Sequence, residues 1–191
     1  MLAVFMSVLL LVISPIPEAH GPTRQQVEEK VAINAPPAQV WALVGDFGGL
    51  HEWHPAIKAT AMEGEKKRIL TLAGAGNPTI TEELKERNEE KMLLKYRIVD
   101  QSIVKTVDFR GQKYEVPAVP VDNYLAILSV KPAGEGSEVT WSGKFYRVYK
   151  LNYYKDEPRY PEGLGDEDAI KTITEIYKTG LSNLKKTVEG S

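Results

Sequence analysis

The sequence predicts an α+β fold in which a curved, seven-stranded antiparallel sheet wraps around a long C-terminal helix, with two short helices after the first strand. Three observations predict it. From Ile57 onward, six strand-like runs follow one another, separated by turn signals rich in Gly, Pro and Asn. From Asp166 to Val188, Ile170, Ile173, Ile176, Tyr177, Leu181, Leu184 and Val188 share one helical face. Between the first two strands, Pro36-Pro37, Gly45 and Gly48-Gly49 leave room only for short helices.

Val27, Val31 and Ile33 alternate with charged or small residues as a half-buried first strand does, and Asn34 and Ala35 end it. Pro36 and Pro37 suit the first turn of a helix, where a missing N–H costs nothing. Val40, Trp41 and Val44 give that helix one apolar face before Gly45 closes it. Asp46 to Pro55 reads as a turn and a second short helix. The strands that follow are Ile57 to Glu63, Arg68 to Leu72, Thr79 to Arg87, Lys91 to Val99, Tyr124 to Lys131 and Glu138 to Tyr146. Two connections, Asp100 to Asn123 and Arg147 to Gly165, are longer than a meander needs, and such connections are often functional. At ~1.5 Å per residue the last helix spans roughly 33 Å, enough to cross a sheet. A sheet gripping it leaves a cavity against its concave face, roofed by the short helices.

The 191 residues suit one domain, and 42% hydrophobic with 26% charged residues are the proportions of a folded, water-soluble chain. Leu2 to Ile13 is an apolar run broken only by Ser7, too short for a membrane span of ~20 residues. Helix breakers and small residues follow as far as Gly21. We expect a signal peptide over residues 1–21, cleaved after Ala19 or Gly21, then one domain over residues 22–191 with no stable membrane span; an uncleaved N-terminal helix is the alternative. Removing residues 1–21 deletes Glu18 and no base, leaving 25 acids against 24 bases. That near-neutrality makes no electrostatic case for nucleic acid. With no cysteine, thiolate chemistry and Cys-based metal sites are excluded.

Strand parity supplies the candidate site. Met92, Leu94, Tyr96 and Ile98 share one face of their strand, as do Tyr124, Ala126, Leu128 and Val130, and Val139, Trp141 and Phe145. Turned inward, these faces line an apolar cavity. Glu82 falls between Ile80 and Leu84 on the matching parity. A carboxylate there is partly desolvated, with a raised pKa unless a donor such as Tyr96 or Tyr124 reaches it; that is the profile of a ligand-orienting acid or a general base. A one-residue slip or bulge turns Glu82 to solvent instead.

His51-Glu52-Trp53-His54 fails as a metal motif. Its histidines are at i and i+3 rather than the i and i+4 that share a helix face, and Pro55 ends the helix at once. No metal and no cofactor is expected. Trp41 is read as core. Trp53 is either a structural anchor or a gate over the cavity, and His54 either bonds the turn or lines the cavity mouth. The candidate ligand-binding residues are thus Trp53, His54, Glu82, Tyr96, Tyr124, Trp141 and Tyr177, with Glu82 and His54 the candidates for any catalysis. Tyr146 to Lys155 mixes tyrosines with basic residues, as a docking surface or a loop packed by its own tyrosines does. No Gly-x-Gly-x-x-Gly, phosphate loop or Gly-x-Ser-x-Gly elbow is present, which argues against nucleotide and redox chemistry.

The pattern Ile33-x-Ala35-Pro36-x-x-x-Val40-Trp41-x-x-Val44-x-Asp46-Phe47, then Trp53-His54-Pro55, then Trp141 resembles the START-like, polyketide cyclase/dehydrase and lipid-transport (SRPBCC, Bet v 1-like) superfamily. The resemblance spans nearly all of the chain beyond the signal segment. It implies a helix-grip fold with a hydrophobic pocket. Within the superfamily, His20-Gly21-Pro22-Thr23 and the segment from Asp46-Phe47-Gly48-Gly49-Leu50 to Trp53-His54-Pro55 resemble periplasmic methanol-oxidation accessory proteins of the MxaD type. That implies a periplasmic location and an auxiliary role near methanol dehydrogenase and its cytochrome acceptor.

Three functions follow as expectations. The first is a non-catalytic accessory protein assisting methanol oxidation, with a periplasmic dehydrogenase or cytochrome as partner. The second is a carrier of a lipid or other hydrophobic small molecule. The third is a cyclase- or dehydratase-like enzyme using Glu82 with His54.

Overall fold

Pattern and geometry agree from the first strand. In the computed structural model, which describes residues 21–151 and 158–190, β1 (Gln25–Ile33) buries Val27 and Ile33 while the charged residues between them stay outside. Pro37 opens α1 (Pro37–Val44), whose buried face is Val40, Trp41 and Val44. A turn held by the Asp46 carboxylate, which accepts from the Gly48 N–H at 2.8 Å, leads into α2 (Leu50–Trp53).

The strands β2 (Ile57–Glu63), β3 (Lys67–Leu72), β4 (Thr79–Asn88) and β5 (Leu93–Gln101) form a meander. β8 (Val121–Ala133) and β9 (Gly136–Arg147) complete the sheet, and α3 (Asp166–Glu189) ends the fold. The order across the seven-stranded sheet is β1-β9-β8-β5-β4-β3-β2, and every pairing is antiparallel. Asp166, Glu167 and Asp168 occupy the first turn of α3, where acids suit the helix dipole, and Gly190 closes the helix with φ 71°.

One expectation is corrected by the 100–123 connection. Instead of a long loop it forms a hairpin, β6 (Ile103–Phe109) and β7 (Gln112–Pro117), as a separate two-stranded sheet. Arg110 and Gly111 make its turn with φ 54° and 78°, the two positive values that a type I′ turn requires. The hairpin has a small core of its own. Phe109 and Val116 pack with Tyr149 and Leu164 from the 147–165 connection, and Tyr114 and Tyr160 close around them. Of the Tyr146–Lys155 segment, Tyr149 is buried in this core against rings from outside the segment, while Lys150 and Leu151 are exposed; residues 152–155 lie outside the described residues.

The inward faces follow strand parity. Leu94 and Tyr96, then Tyr124, Ala126, Leu128 and Val130, then Val139, Trp141 and Phe145 are all buried, and Ala169, Ile173, Tyr177, Gly180, Leu181 and Leu184 meet them from α3. Ile170 departs from the predicted helix face: it is 36% exposed, one position off the buried stripe. Residues 1–20, which hold nearly all of the expected signal peptide over residues 1–21, lie outside the described residues. Among the described residues, no helix is long and apolar enough to cross a membrane.

Candidate functional site

A cavity of about 250 Å³ lies between the concave face of the sheet and the first half of α3. Its walls are mostly aliphatic, drawn from β3, β4, β5 and α3, with Leu50 supplied by α2 and Ile57 by the start of β2. His54, Glu82, Tyr96, Tyr124 and Trp141 line it, so the topology brings five of the seven predicted residues to one space.

Glu82 faces inward and is only 5% exposed. The bulge that threatened to turn it outward is present, but on the partner strand. Thr81 pairs with Asp100 and Glu82 with Ile98, leaving Val99 as the extra residue on β5 and 40% exposed. The partner of Glu82 is a correction to expectation: it is Arg68, not a tyrosine. Arg68 Nε donates to Glu82 Oε2 at 2.7 Å, and Nη2 meets the same oxygen at 2.6 Å. Arg68 Nη1 donates to the Phe47 carbonyl at 2.6 Å, and the guanidinium lies over the Phe47 ring, 4.1 Å from its centroid.

A signal for Arg68 existed in the sequence. It shares parity with Leu70 on β3, and the two are among the most buried residues of that strand. Burial pushes the Glu82 carboxyl above its ordinary pKa, and the charge and hydrogen bonds of Arg68 pull it back. Because Arg68 keeps its charge, a buried carboxylate beside it is what balances the site.

Trp141 and the three buried tyrosines bond to one another, while the buried Trp53 Nε1 has no hydrogen-bond partner. Trp141 Nε1 donates to the Tyr96 hydroxyl at 2.8 Å, and the hydroxyls of Tyr124 and Tyr177 bond at 2.6 Å. Tyr177 does not line the cavity. It stands behind Trp141, stacked on it at 4.4 Å and 14°. Burial raises the pKa of all three tyrosines well above the ordinary phenol value, so they stay protonated as hydrogen-bonding groups.

His54 is a strut in this geometry. Its Nε2 lies 3.0 Å from the Ile176 carbonyl and must donate to it, so Nδ1 is the acceptor for the Ala56 N–H at 3.2 Å. Both nitrogens are thereby bound to backbone, joining the α2 connector to α3. Burial lowers its pKa, which keeps the ring neutral. The neighbouring His51 is exposed and meets Thr60 Oγ1 instead, so the two histidines face different surroundings. Among the described residues, no group of three or more His, Asp or Glu is placed to hold a metal.

Trp53 is 1% exposed, does not line the cavity, and packs edge-on against Trp141 at 5.7 Å and 63°. That is the position of an anchor rather than a gate. Its carbonyl accepts from Asn183 Nδ2 at 3.0 Å, a second tie between α2 and α3.

The family model described as polyketide cyclase / dehydrase and lipid transport matches residues 24–189. Among solved structures, XoxI from Bacillus cereus is 28% identical, with a TM-score of 0.65 over 86% of this chain and 95% of that one. An uncharacterized protein from Bacillus thuringiensis is 27% identical, with a TM-score of 0.66 over 86% of this chain and 99% of that one. Ara h 8.0201 shares the fold at 14% identity, with a TM-score of 0.61 over 88% of this chain and all of its own. No curated protein sequence matches the chain at significance. The match over residues 24–189, on a seven-stranded sheet gripping a C-terminal helix, means that the chain belongs to the polyketide cyclase / dehydrase and lipid transport family.

Proposed function

We propose that the protein binds a small hydrophobic molecule between the sheet and α3 without transforming it. The observation that carries this reading is the cavity itself, apolar on nearly every side, with the Glu82 carboxylate in its wall. Support for binding rather than catalysis comes from the polar groups around it. His54 has both nitrogens bound to backbone, and the buried tyrosines are held protonated. Neither arrangement leaves a proton acceptor beside Glu82 for acid–base work. Solvent extraction of protein purified from its native host, followed by mass spectrometry, tests the reading: a stoichiometric apolar compound is expected, and a cavity found empty that also refuses apolar probes contradicts it.

A finer reading is that the protein is exported and assists methanol oxidation in the periplasm beside a dehydrogenase or its cytochrome acceptor. The resemblance of Asp46–Leu50 and Trp53-His54-Pro55 to MxaD-type proteins supports it, and the likeness to XoxI accords with it. Co-purification of a dehydrogenase or cytochrome from native periplasm is the expected result. Absence of both, with normal growth on methanol in a deletion strain, contradicts this reading.

A further inference from the structure

Among the charged groups that line the cavity, the Glu82 carboxylate keeps one oxygen free of hydrogen bonds, and its chemistry restricts the ligand. His54 and Trp141 have their N–H groups committed to Ile176 and Tyr96. The Tyr124 hydroxyl is bonded to Tyr177 and interacts with Tyr96. The Thr172 hydroxyl, half-buried on α3, has no protein partner and is neutral, able to donate as well as accept, so it selects less than a charged group does. Glu82 is different: Oε2 receives both Arg68 nitrogens, while Oε1 takes no hydrogen bond. A carboxylate oxygen can accept about two hydrogen bonds, and a buried ion pair is well stabilised only when its remaining lone pairs are met.

An ionised Oε1 accepts and cannot donate. A ligand carboxylate or phosphate placed there is repelled, and an ether or ketone leaves the oxygen unmet. An ammonium group gains Glu82 but faces the Arg68 guanidinium that already shares the same carboxylate. What remains is a neutral hydrogen-bond donor on an apolar body, and a hydroxyl is the smallest such group. At roughly 30 Å³ per water-sized heavy atom, about 250 Å³ holds about eight non-hydrogen atoms.

We infer that the cavity takes a neutral alcohol or phenol of about eight non-hydrogen atoms, its hydroxyl donating to Glu82 Oε1 and its apolar body lying against Ile80, Ile98, Ile173 and Ile176. This inference rests on the reading of the cavity as a ligand site. It makes methanol itself, with two non-hydrogen atoms, a poor occupant.

The test is a titration of the full-length mature protein at pH 7.5 with 1-heptanol, hexyl methyl ether, heptanoate and heptylammonium, which are nearly matched in size. The ether has the same number of non-hydrogen atoms as heptanol and accepts without donating. Heptanol is expected to bind at least tenfold more tightly than each of the other three, about 1.4 kcal/mol of discrimination. In the double variant Arg68→Leu/Glu82→Leu, whose pair is replaced by apolar side chains, the ether still binds and the preference for heptanol drops below about twofold. Ether or heptanoate binding as tightly as heptanol overturns the inference, as does a preference that survives in the double variant. Either result leaves the cavity standing as a ligand site. Failure of all four to bind overturns that reading as well.

Discussion

Arg68 and Glu82 stand directly opposite each other on β3 and β4, and they meet at 2.6 Å with almost no exposure to solvent. Two charges on the inward parity of adjacent strands are tolerable only because each neutralises the other. Arg68 spends a third nitrogen on the Phe47 carbonyl, which ties the α1–α2 connector to the sheet. Glu82 is thus part of the cavity wall, and through Arg68 it is also part of a joint between the roof and the sheet.

Breaking the pair is expected to cost far more than removing it. Arg68→Leu or Glu82→Leu alone leaves one buried charge without its partner, a loss of about 3–5 kcal/mol. The double variant is expected to lie within about 1–2 kcal/mol of the parent, because a well-packed apolar pair escapes the desolvation cost. Urea unfolding of the four proteins measures the coupling; additive single effects contradict it.

Gly180 predicts a substitution that defies helix propensity. A Cβ there lies 2.4 Å from His54 Cδ2 and 3.0 Å from Trp141 Cζ3, both ring atoms in packed surroundings. Gly180→Ala gains about 1 kcal/mol of propensity, yet overpacking is expected to leave it net destabilised by roughly 1–2 kcal/mol. A thermal unfolding curve with an unchanged or raised midpoint contradicts the close approach.

His54 predicts a pH dependence. Burial lowers its folded pKa, so between the ordinary imidazole value of about 6.5 and the lowered value the unfolded chain binds a proton that the folded chain refuses. Its contribution is full above about pH 6.5 and is lost as pH falls through that window, at up to about 1.4 kcal/mol per pH unit. Glu82, raised by burial, works in the opposite sense, so the difference between parent and His54→Gln isolates the histidine. The variant is expected to show the flatter fall in stability between pH 7.5 and 5.5; equal slopes contradict the assignment.

The hairpin core is expected to fail locally. Phe109→Ala removes the ring that meets Tyr114 and Tyr149 at 6.3 Å and 5.9 Å, away from the main sheet. Amide exchange over residues 103–117 is expected to accelerate at least tenfold while β8 and β9 keep their protection within about twofold. Uniform acceleration across the chain contradicts the hairpin's independence.

What was legible in the sequence followed from periodicity. A two-residue repeat puts Tyr96, Tyr124, Trp141 and Glu82 on inward faces because one face of each strand is covered by α3, and burial on one side fixes register. The hairpin was hidden because Lys105, Asp108, Lys113 and Glu115 break its apolar alternation, and its core partners, Tyr149 and Leu164, lie more than 30 residues downstream. Arg110-Gly111 was its one local signal. Arg68 carried only a weak signal, its parity with Leu70: composition marks a strand arginine as solvated, and pairing β3 with β4 is what brings Glu82 across from it. Tyr177 and Trp53 shared the aromatic character of a lining residue, but whether an aromatic faces a cavity or stands one layer behind it depends on packing against α3, which no local pattern encodes.

The central claim is that the space between the sheet and α3 is a ligand cavity. It is tested most directly by methyl NMR of the purified protein titrated with 1-heptanol. Saturable shifts at Leu50, Ile80, Ile98 and Ile173, with none at the exposed Met62, Ile103 and Val104, are the predicted result. Shifts confined to the exposed methyls, or no saturable shift at all, contradict it.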